Sequence, residues 1–406
     1  MGLLYENQHG FQKGKSTEQA IFDIQESIAE ALEKGETPCC IFLDFAKAFD
    51  TVDKDILLRK LHYYGIRGRT YDWINSYLSN RKQCVDLNGN KSCDLPIDIG
   101  VPQGSILGPL LFLIYVNDLA ESSKKLKFVM FADDTCLFMS HKNIKILEKI
   151  LSEELPKICD WLIANKLSLN VKKTNFMVFR NKKDSSKPLM KLSINGKPIE
   201  EVTSAKYLGI LIDHKLTFRH HTNLISQKLI RGNTLIARLR HFVSREILLN
   251  FYYAHFHSHI QYGSISWGAA APTYINNISA LQEKSLNLIS FSKIKGENKQ
   301  EIFNEYGILP VRKQIFLNRC LFVWKYIKNL FNENIGSKFG NLLKRNDFLT
   351  SYKYVQPFRK TCAGKNTLTC AGIKEWNKLS HPTNLLEKTL FTFKKSVRDY
   401  LVCQPY

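Results

Sequence analysis

Two adjacent aspartates, Asp133 and Asp134, stand between two short apolar runs at 127–130 and 136–139. Two such runs joined by a few residues predict a β-hairpin with both carboxylates at its tip. Like charges at this distance repel each other, and a carboxylate beside another one normally has a raised pKa. A divalent cation removes the conflict, because hard cations such as Mg²⁺ take oxygen ligands. The pair therefore predicts a metal site at the tip of a hairpin.

A third acid, Asp44, ends another apolar run at 39–43. Three carboxylates at the ends of neighbouring strands can hold two metal ions about 3.5–4 Å apart, the arrangement used for in-line nucleotidyl transfer. The sequence therefore predicts a polymerase, with Asp44, Asp133 and Asp134 as metal ligands and two Mg²⁺ ions as the cofactor.

The chain is strongly basic. Its 406 residues contain 58 lysines and arginines against 37 aspartates and glutamates, a formal net charge of +21. An excess of this size implies a polyanionic partner, either nucleic acid or an anionic membrane. The longest apolar stretch, 106–116, is too short to span a bilayer and contains a glycine and a proline. Nucleic acid is therefore the expected partner, and a membrane is not.

The ten cysteines give no sign of a zinc module, because none of them belongs to a Cys-x-x-Cys pair. Several lie inside apolar runs, which is typical of reduced thiols buried in an intracellular protein. An intracellular location is the expectation that follows.

Hydrophobic periodicity divides the chain into a mixed part up to about residue 213 and a helical part after it. The predicted strands are 39–43, the hairpin arms 127–130 and 136–139, 175–179, a hairpin around Asn195-Gly196, and a single strand at 207–212. The predicted helices are 16–35, 54–64, 71–78, 106–119 and 144–163. The helix at 106–119 is apolar on all sides, which predicts full burial, and Pro156 predicts a kink or a division of the last helix. This order indicates an α+β fold with an antiparallel sheet covered on one face.

The helical part begins with a basic stretch between Asp213 and Glu246 that contains no acid. Its cations are Lys215, Arg219, Lys228, Arg231, Arg238, Arg240 and Arg245. Four interleaved leucines, at 224, 229, 235 and 239, are expected to pack inward and to leave the cations on the outer face. Such a face suits a phosphate backbone. The alternative is a solvated helix surface, although that usually mixes both signs of charge.

Six blocks follow one another along the chain, at 7–17 (NQHGFQKGKST), 42–52 (FLDFAKAFDTV), 100–109 (GVPQGSILGP), 131–134 (FADD), 170–174 (NVKKT) and 207–210 (YLGI). In this order and at these spacings they resemble the reverse transcriptases of non-LTR retrotransposons, nearest the jockey-like group. The downstream pairs Tyr262-Gly263 and Trp267-Gly268 resemble the same family. Any one block is weak evidence, but six in order make coincidence very improbable. A group II intron maturase would keep the same acids, but the block at 42–52 and the region 262–268 fit the retrotransposon family better.

The resemblance implies a right-hand polymerase. Reverse transcriptase partial fingers and palm would occupy 1–213, a basic helical thumb 214–295, and a C-terminal helical region of unknown role 296–406. The implied activity is RNA-directed DNA synthesis, in which deoxynucleoside triphosphates are added to the 3′-hydroxyl of a DNA primer on an RNA template. The implied location is nuclear, with a cytoplasmic ribonucleoprotein phase. The alternative is a catalytically inactive remnant that only binds nucleic acid.

The resemblance also implies roles for single residues around the three acids. The backbone carbonyl of Phe45 would add a metal ligand, and the ring of Phe49 would lie under the nucleotide sugar and exclude a 2′-hydroxyl. Core packing is the alternative for Phe49, because its segment is apolar. Gln103 and Gly104 match the motif that contacts the incoming nucleotide and the template.

Further residues match positions that bind the pyrophosphate and the primer. Lys173 is a candidate general acid near the pyrophosphate, with Lys172 as its competitor. The strand at Tyr207, Leu208 and Gly209 would hold the primer end, and Lys228, Arg231 and Arg238 would contact the primer–template. The chain begins almost at the family's second block, without the earlier fingers segment, an endonuclease or a cysteine-rich module. We therefore expect a piece of a longer element or a product truncated at its start.

Overall fold

The computed structural model describes residues 3–180, 190–291, 299–331, 354–379 and 388–404. The chain forms two compact units, Met1–Ala20 with Glu36–Val202, and Ile21–Gly35 with Thr203–Tyr406. Among the described helices, none is both long and apolar enough to cross a membrane. The functional boundaries expected at 213 and 295 remain predictions, since compactness alone does not define a functional domain.

The first unit is built on a mostly antiparallel five-stranded sheet. Its strands and those of the small ribbons beside it are β1 (Thr37–Leu43), β2 (Arg81–Gln83), β3 (Asp86–Leu87), β4 (Asn90–Lys91), β5 (Leu95–Ile97), β6 (Lys127–Phe131), β7 (Asp134–His141), β8 (Asn175–Val178), β9 (Ser193–Ile194), β10 (Lys197–Pro198) and β11 (Glu200–Glu201). The main sheet has the order β11-β8-β1-β7-β6, and only the β11–β8 pair is parallel. The predicted hairpins at Asp133-Asp134 and Asn195-Gly196 are both confirmed.

The first turn of α1 (Thr17–Glu33) belongs to this unit. Four complete α-helices accompany the sheet, namely α2 (Lys54–Tyr63), α3 (Gly68–Leu78), α4 (Leu107–Tyr115) and α5 (Ile144–Ala164). Every second residue of β1, starting at Cys39, joins one core cluster with the apolar stripe of α5. Helix α5 contains Pro156 within its bounds and is not divided there.

The prediction that the helix at 106–119 is buried on all sides is wrong. Helix α4 ends at Tyr115 and is followed by a 3-10 helix, Asn117–Ser122. Ile106 and Leu110 are 95% and 46% exposed, whereas Leu111 is buried in the core. Residues four apart share one helix face, so Ile106 and Leu110 mark a side of this segment that does not reach the core.

The second unit contains one hairpin, β12 (Ser204–Tyr207) with β13 (Ile210–Asp213), and is otherwise helical in its described residues. Its helices are α6 (Arg219–Leu239), α7 (Arg245–Tyr252), a π-helix (Tyr253–His257), α8 (Ser258–Gln261), α9 (Ser264–Trp267), α10 (Pro272–Ser290), α11 (Lys299–Glu305), α12 (Val311–Ile327), α13 (Cys362–Lys365), α14 (Leu368–Trp376) and α15 (Leu390–Cys403). The prediction of a single strand at 207–212 is wrong. Leu208 and Gly209 have φ of +45° and +78°, and this left-handed pair reverses the chain in a two-residue turn.

The C-terminal part of the second unit packs against the part of α1 that belongs to the same unit. The ring centroids of Phe22 and Phe322 lie 5.1 Å apart. The buried carboxylate of Glu26 accepts the backbone N–H of Thr369 at 3.1 Å and its hydroxyl at 2.9 Å. Glu33 accepts the N–H of Thr361 at 2.8 Å. A helix near the start of the chain is therefore held by residues near its end.

Candidate active site

The sheet brings the three predicted acids to the ends of two paired strands. Strand β1 pairs with β7 in a register that places Leu43 opposite Thr135. Asp44 follows Leu43 and Asp134 precedes Thr135, so both acids lie at this end of the strand pair. Asp133 lies in the two-residue turn between β6 and β7, next to Ala132, which has a left-handed φ of +55°. The hairpin therefore carries both of its acids to the same strand end as Asp44.

The carboxyl of Asp133 is affected by burial and by a neighbouring acid. Burial raises the pKa of the Asp133 carboxyl above its usual range, and the nearby charge of Asp44 adds to the rise. This mutual repulsion fits a pair of oxygen ligands that a divalent cation would neutralise. Within the described ranges, however, no group of three or more histidine, cysteine or acidic side chains is already arranged to hold a metal ion. The three-acid metal site remains a prediction.

The backbone of Asp44 is fixed from the side opposite β7. The hydroxyl of Thr174 accepts the Asp44 N–H at 3.3 Å, and the Asp44 carbonyl accepts the N–H of Asn170 at 2.8 Å. Phe45 forms an antiparallel bridge with Leu169. The acceptors of the two hydrogen bonds in this bridge are the carbonyls of Asp44 and Ser168. The Phe45 carbonyl is therefore not an acceptor in the bridge. The turn at 170–174 therefore positions the first acid.

Lys173 belongs to this turn, since its N–H donates to the Asn170 carbonyl at 3.0 Å. Its side chain and that of Lys172 are both exposed. The structure thus places both candidate general acids beside the strand end that bears Asp44.

Gln8 is a supporting residue that the sequence analysis gave no role. Its side-chain oxygen accepts the N–H of Gly10 and the N–H of Ala132, each at 2.9 Å. Around it, the N–H of His9 donates to the Met130 carbonyl at 2.7 Å, so the N-terminal segment runs parallel to β6. A Cβ on Gly10 would lie 2.5 Å from the Ala132 nitrogen, so only glycine permits this close approach. The block at 7–17 therefore holds the hairpin turn that bears Asp133.

Phe49 stands between two aromatic neighbours. Its ring is stacked on Phe112 with centroids 4.2 Å apart, and the ring of Phe11 meets it edge-on at 6.3 Å. Phe112 is fully buried, whereas Phe49 is half-buried and Phe11 is 58% exposed. One side of Phe49 therefore packs on the core while part of the ring reaches the surface. This position fits a ring that packs on the core and also one that meets a nucleotide sugar at the surface.

The segment with Gln103 and Gly104 is tied to the residues that follow Phe49. The side-chain amide of Gln103 donates to the Asp50 carboxylate at 2.6 Å. The N–H of Val101 donates to the Phe49 carbonyl at 2.9 Å. Gly104 has φ +77° and open space where a Cβ would lie. Asp50, an acid of the block at 42–52, therefore positions Gln103.

The predicted primer-holding residues form the turn between β12 and β13 in the second unit. The hydroxyl of Tyr262 donates to the Leu208 carbonyl at 2.7 Å. A Cβ on Gly209 would lie 3.1 Å from the Tyr262 ring. Tyr207 and Leu208 are buried, so the exposed residue of this segment is Gly209. The Tyr262 region, noted in the sequence only as a resemblance, supports that turn.

Helix α6 presents the three predicted cations to solvent, since Lys228, Arg231 and Arg238 are all exposed. Because these positions are separated by three and seven residues, they lie along one side of the helix. The helix therefore offers a basic stripe within the second unit.

The prediction that four leucines of this helix pack inward is wrong for two of them. Leu224 and Leu235 are 36% and 42% exposed, whereas Leu229 is buried. Ile225 and Ile236 are buried instead. Each exposed leucine precedes a buried isoleucine by one position, which is a rotation of about 100° around the helix. The exposed leucines therefore join the side that carries the cations.

An antiparallel sheet that carries acids to the ends of paired strands is the arrangement of a polymerase palm. Residues 2–212 match the model of the family described as "Reverse transcriptase (RNA-dependent DNA polymerase)". The chain belongs to this family.

Two curated relatives extend the similarity beyond residue 212. The RNA-directed DNA polymerase from mobile element jockey of Drosophila melanogaster is 32% identical over 294 residues, which are 70% of this chain and 32% of that protein. The probable RNA-directed DNA polymerase from transposon X-element of the same species is 28% identical over 302 residues, 71% of this chain and 32% of that protein. The chain thus spans about a third of the length of these relatives.

Among solved structures, that of apo telomerase from Candida tropicalis aligns with 76% of this chain and 52% of that one. The identity is 11% and the TM-score 0.39.

Proposed function

We propose that this chain is the polymerase part of an RNA-directed DNA polymerase of a non-LTR retrotransposon. It adds deoxynucleotides to the 3′-hydroxyl of a DNA primer on an RNA template, with two Mg²⁺ ions held by Asp44, Asp133 and Asp134. The observation that carries the proposal is the β1–β7 register, which pairs Leu43 with Thr135, the residues next to Asp44 and Asp134, at the strand end where the hairpin turn bears Asp133. When bound, the cations lower the pKa of the attacking hydroxyl and neutralise charge on the triphosphate.

The side chains around the acids position them and the substrate. Thr174 and Asn170 hold the Asp44 backbone, while Gln8 holds the turn before Asp133. Rigid support of this kind matters because small displacements of reacting groups are costly in rate. Gly104 leaves room for a nucleotide or template base to approach the backbone closely.

The second unit supplies nucleic-acid contacts in this proposal. The cations of α6 would bind phosphates of the primer–template, and the turn at 207–209 would hold the primer end. Support comes from the exposure of Lys228, Arg231 and Arg238 and from the absence of any acid between Asp213 and Glu246. Binding through phosphates predicts a steep loss of affinity with rising salt.

A primer-extension assay tests the proposal. The purified chain should extend a DNA primer on an RNA template only when Mg²⁺ is present, and Asp133→Asn should abolish extension. Asp160→Asn is the matched control, since Asp160 is an exposed acid of α5, and it should leave extension intact. Metal-independent extension, or full activity of the Asp133→Asn variant, contradicts the proposal.

A second candidate is a chain that binds nucleic acid without catalysis. The observation in its favour is that the described acids are not assembled as a group of three metal ligands, while the basic stripe of α6 is exposed. This candidate predicts salt-sensitive binding of RNA or DNA that Asp133→Asn does not change, with no extension under any metal condition.

A further inference from the structure

The surface formed by α2, α3 and the start of β2 combines aromatic rings with cations. Between residues 59 and 82 the cations are Arg59, Lys60, Arg67, Arg69, Arg81 and Lys82, and the one acid is Asp72. The aromatic residues of the same segment are Tyr63, Tyr64, Tyr71, Trp73 and Tyr77. None of these side chains belongs to the candidate active site described above, so this surface has no role in it.

Three of these side chains, Trp73, Tyr77 and Arg81, form a stack that we name the aromatic ladder. The rings of Trp73 and Tyr77 have centroids 6.0 Å apart and planes inclined by 18°. The guanidinium carbon of Arg81 lies 5.4 Å from the centroid of the Tyr77 ring. Trp73 and Tyr77 share a face of α3 because they are four residues apart. Asn80, with φ +55°, turns the chain between the end of α3 and Arg81.

Packing against the protein core accounts for the position of one ring of this stack but not of the other. Tyr77 packs against the core of the first unit, but Trp73 is 56% exposed. The other tryptophans of the chain, all within the described ranges, are more buried: Trp267, Trp324 and Trp376 are at most 3% exposed, and Trp161 is half-buried. Tryptophan, tyrosine and arginine are enriched at binding surfaces, and here an exposed tryptophan lies against a tyrosine ring that also contacts a guanidinium.

We propose that the aromatic ladder is a platform on which unpaired bases of the RNA template stack, an inference that rests on the proposed function. Aromatic rings accept every base because each base has a π face, and arginine adds a cation–π contribution. Lys60 is ion-paired with Asp118, but the other five cations still outnumber the one acid of the segment and complement the phosphates of the strand. This excess of positive charge favours nucleic acid over a protein segment. Paired bases are stacked inside a duplex, so the platform selects single-stranded RNA.

Binding of a short, fluorescently labelled oligouridylate at fixed salt tests this inference by anisotropy. Trp73→Ala should weaken binding by about 5- to 150-fold, the range expected for the loss of stacking on one base. Trp73→Phe, which keeps a ring, should retain most of the affinity. In the wild-type chain, the emission of the exposed tryptophan should be quenched as the oligonucleotide binds. A thermal midpoint unchanged by Trp73→Ala would establish that the variant is folded.

Phe391→Ala is the matched control, because it removes a 77% exposed ring from the second unit and should leave affinity unchanged. The inference is overturned if the wild type and Trp73→Ala bind the single strand with equal affinity. It is also overturned if Trp73→Ala loses as much affinity for duplex RNA as for the single strand. Asp133→Asn should bind the oligonucleotide normally. A chain that extends no primer but loses binding in Trp73→Ala would contradict the proposed function and still support the platform.

Discussion

The side-chain oxygen of Gln8 accepts the backbone N–H of Ala132 at 2.9 Å, across 124 residues of sequence. Ala132 precedes Asp133 in the turn of the hairpin, so this hydrogen bond links the first block of the chain to the acidic turn. The same oxygen also accepts the N–H of Gly10. A single buried amide therefore satisfies two backbone donors that have little access to water.

Gln8→Ala should destabilise the first unit and reduce catalysis. A buried donor left without its acceptor costs roughly 1–3 kcal/mol, and two donors lose theirs here. Chemical denaturation measures the stability, and single-turnover extension measures the rate. Gln83→Ala, at an exposed position, is the control and should be neutral in both. Wild-type stability of Gln8→Ala would mean that water replaces the lost acceptor.

Asp133→Asn should stabilise the chain at neutral pH while it abolishes extension. Because burial and Asp44 raise its folded-state pKa, the stabilising contribution of protonated Asp133 is fully present below the pKa that the group has in the unfolded chain. That contribution is lost as pH rises through the folded pKa, so at neutral pH the ionised group costs stability. Thermal unfolding with and without Mg²⁺ provides the measurement. Mg²⁺ should raise the midpoint of the wild type more than that of the variant, and a lower midpoint for Asp133→Asn in the absence of metal would disprove the argument.

Phe49→Val distinguishes sugar selection from core packing. If the ring excludes a 2′-hydroxyl, the smaller side chain should relax discrimination against ribonucleotides by roughly 10- to 200-fold, the scale set by small changes in a pocket. Phe112→Leu is the control, because it removes the stacked partner without altering the ring at the predicted gate. Competing incorporation of ribo- and deoxynucleotides is the readout. Loss of stability in both variants, with discrimination unchanged, would assign Phe49 to the core.

Tyr262→Phe should loosen the turn at Leu208 and Gly209. The substitution removes one hydrogen bond of 2.7 Å to the Leu208 carbonyl, worth roughly 0.5–1.5 kcal/mol. If that turn holds the primer, the apparent KM for primer should rise about 2- to 10-fold while the KM for nucleotide stays constant. Tyr253→Phe, at a tyrosine of similar exposure, is the control. Equal changes in the KM for primer and the KM for nucleotide would mean that the turn at Leu208 and Gly209 does not hold the primer.

The second unit should lose stability as the pH falls from about 6.5 to about 4. Burial, with a smaller effect from Lys228, lowers the pKa of His221 to about 4, and its Nδ1 accepts the Leu211 N–H at 3.3 Å. Because the folded pKa is depressed, the neutral ring contributes stability above the unfolded pKa and loses it as pH falls through the folded pKa. The effect is up to roughly 3 kcal/mol.

Denaturation across this pH range is the measurement for His221. His221→Gln, which keeps an acceptor without a titrating ring, should flatten the profile. His257 has a pKa lowered to about 4 by burial and should supply the remaining slope. An unchanged profile for His221→Gln would refute the assignment.

Local patterns in the sequence predicted the elements that local chemistry determines. The acidic hairpin was predictable because two apolar runs flank a tight turn, and α5 because its leucines repeat with the helical period. Asp53 caps α2, and its carboxylate accepts the N–H of Ile56 at 3.0 Å, a local interaction typical of an aspartate just before a helix. The family blocks then pointed to the acids that the β1–β7 register places at one strand end.

Other features depend on distant partners and could not be predicted in this way. The turn at Leu208 and Gly209 lies inside an apolar run, so hydrophobic periodicity gives no sign that the chain reverses direction there. The inward side of α6 was displaced by one position, because leucines and isoleucines at adjacent positions fit the helical period almost equally well. The role of Gln8 depends on a donor 124 residues away, and no local pattern reports such a pair.

The contact between Glu26 and Thr369 spans 343 residues. During translation, the helix that carries Glu26 leaves the ribosome long before its partner has been made. Until then its carboxylate and the neighbouring Phe22 must stay in water or be covered by something else. Completion of the second unit is thus a late event in biosynthesis. A stalled ribosome would release a product whose first helix still exposes the Glu26 carboxylate and the Phe22 ring, both of which are buried in the folded chain.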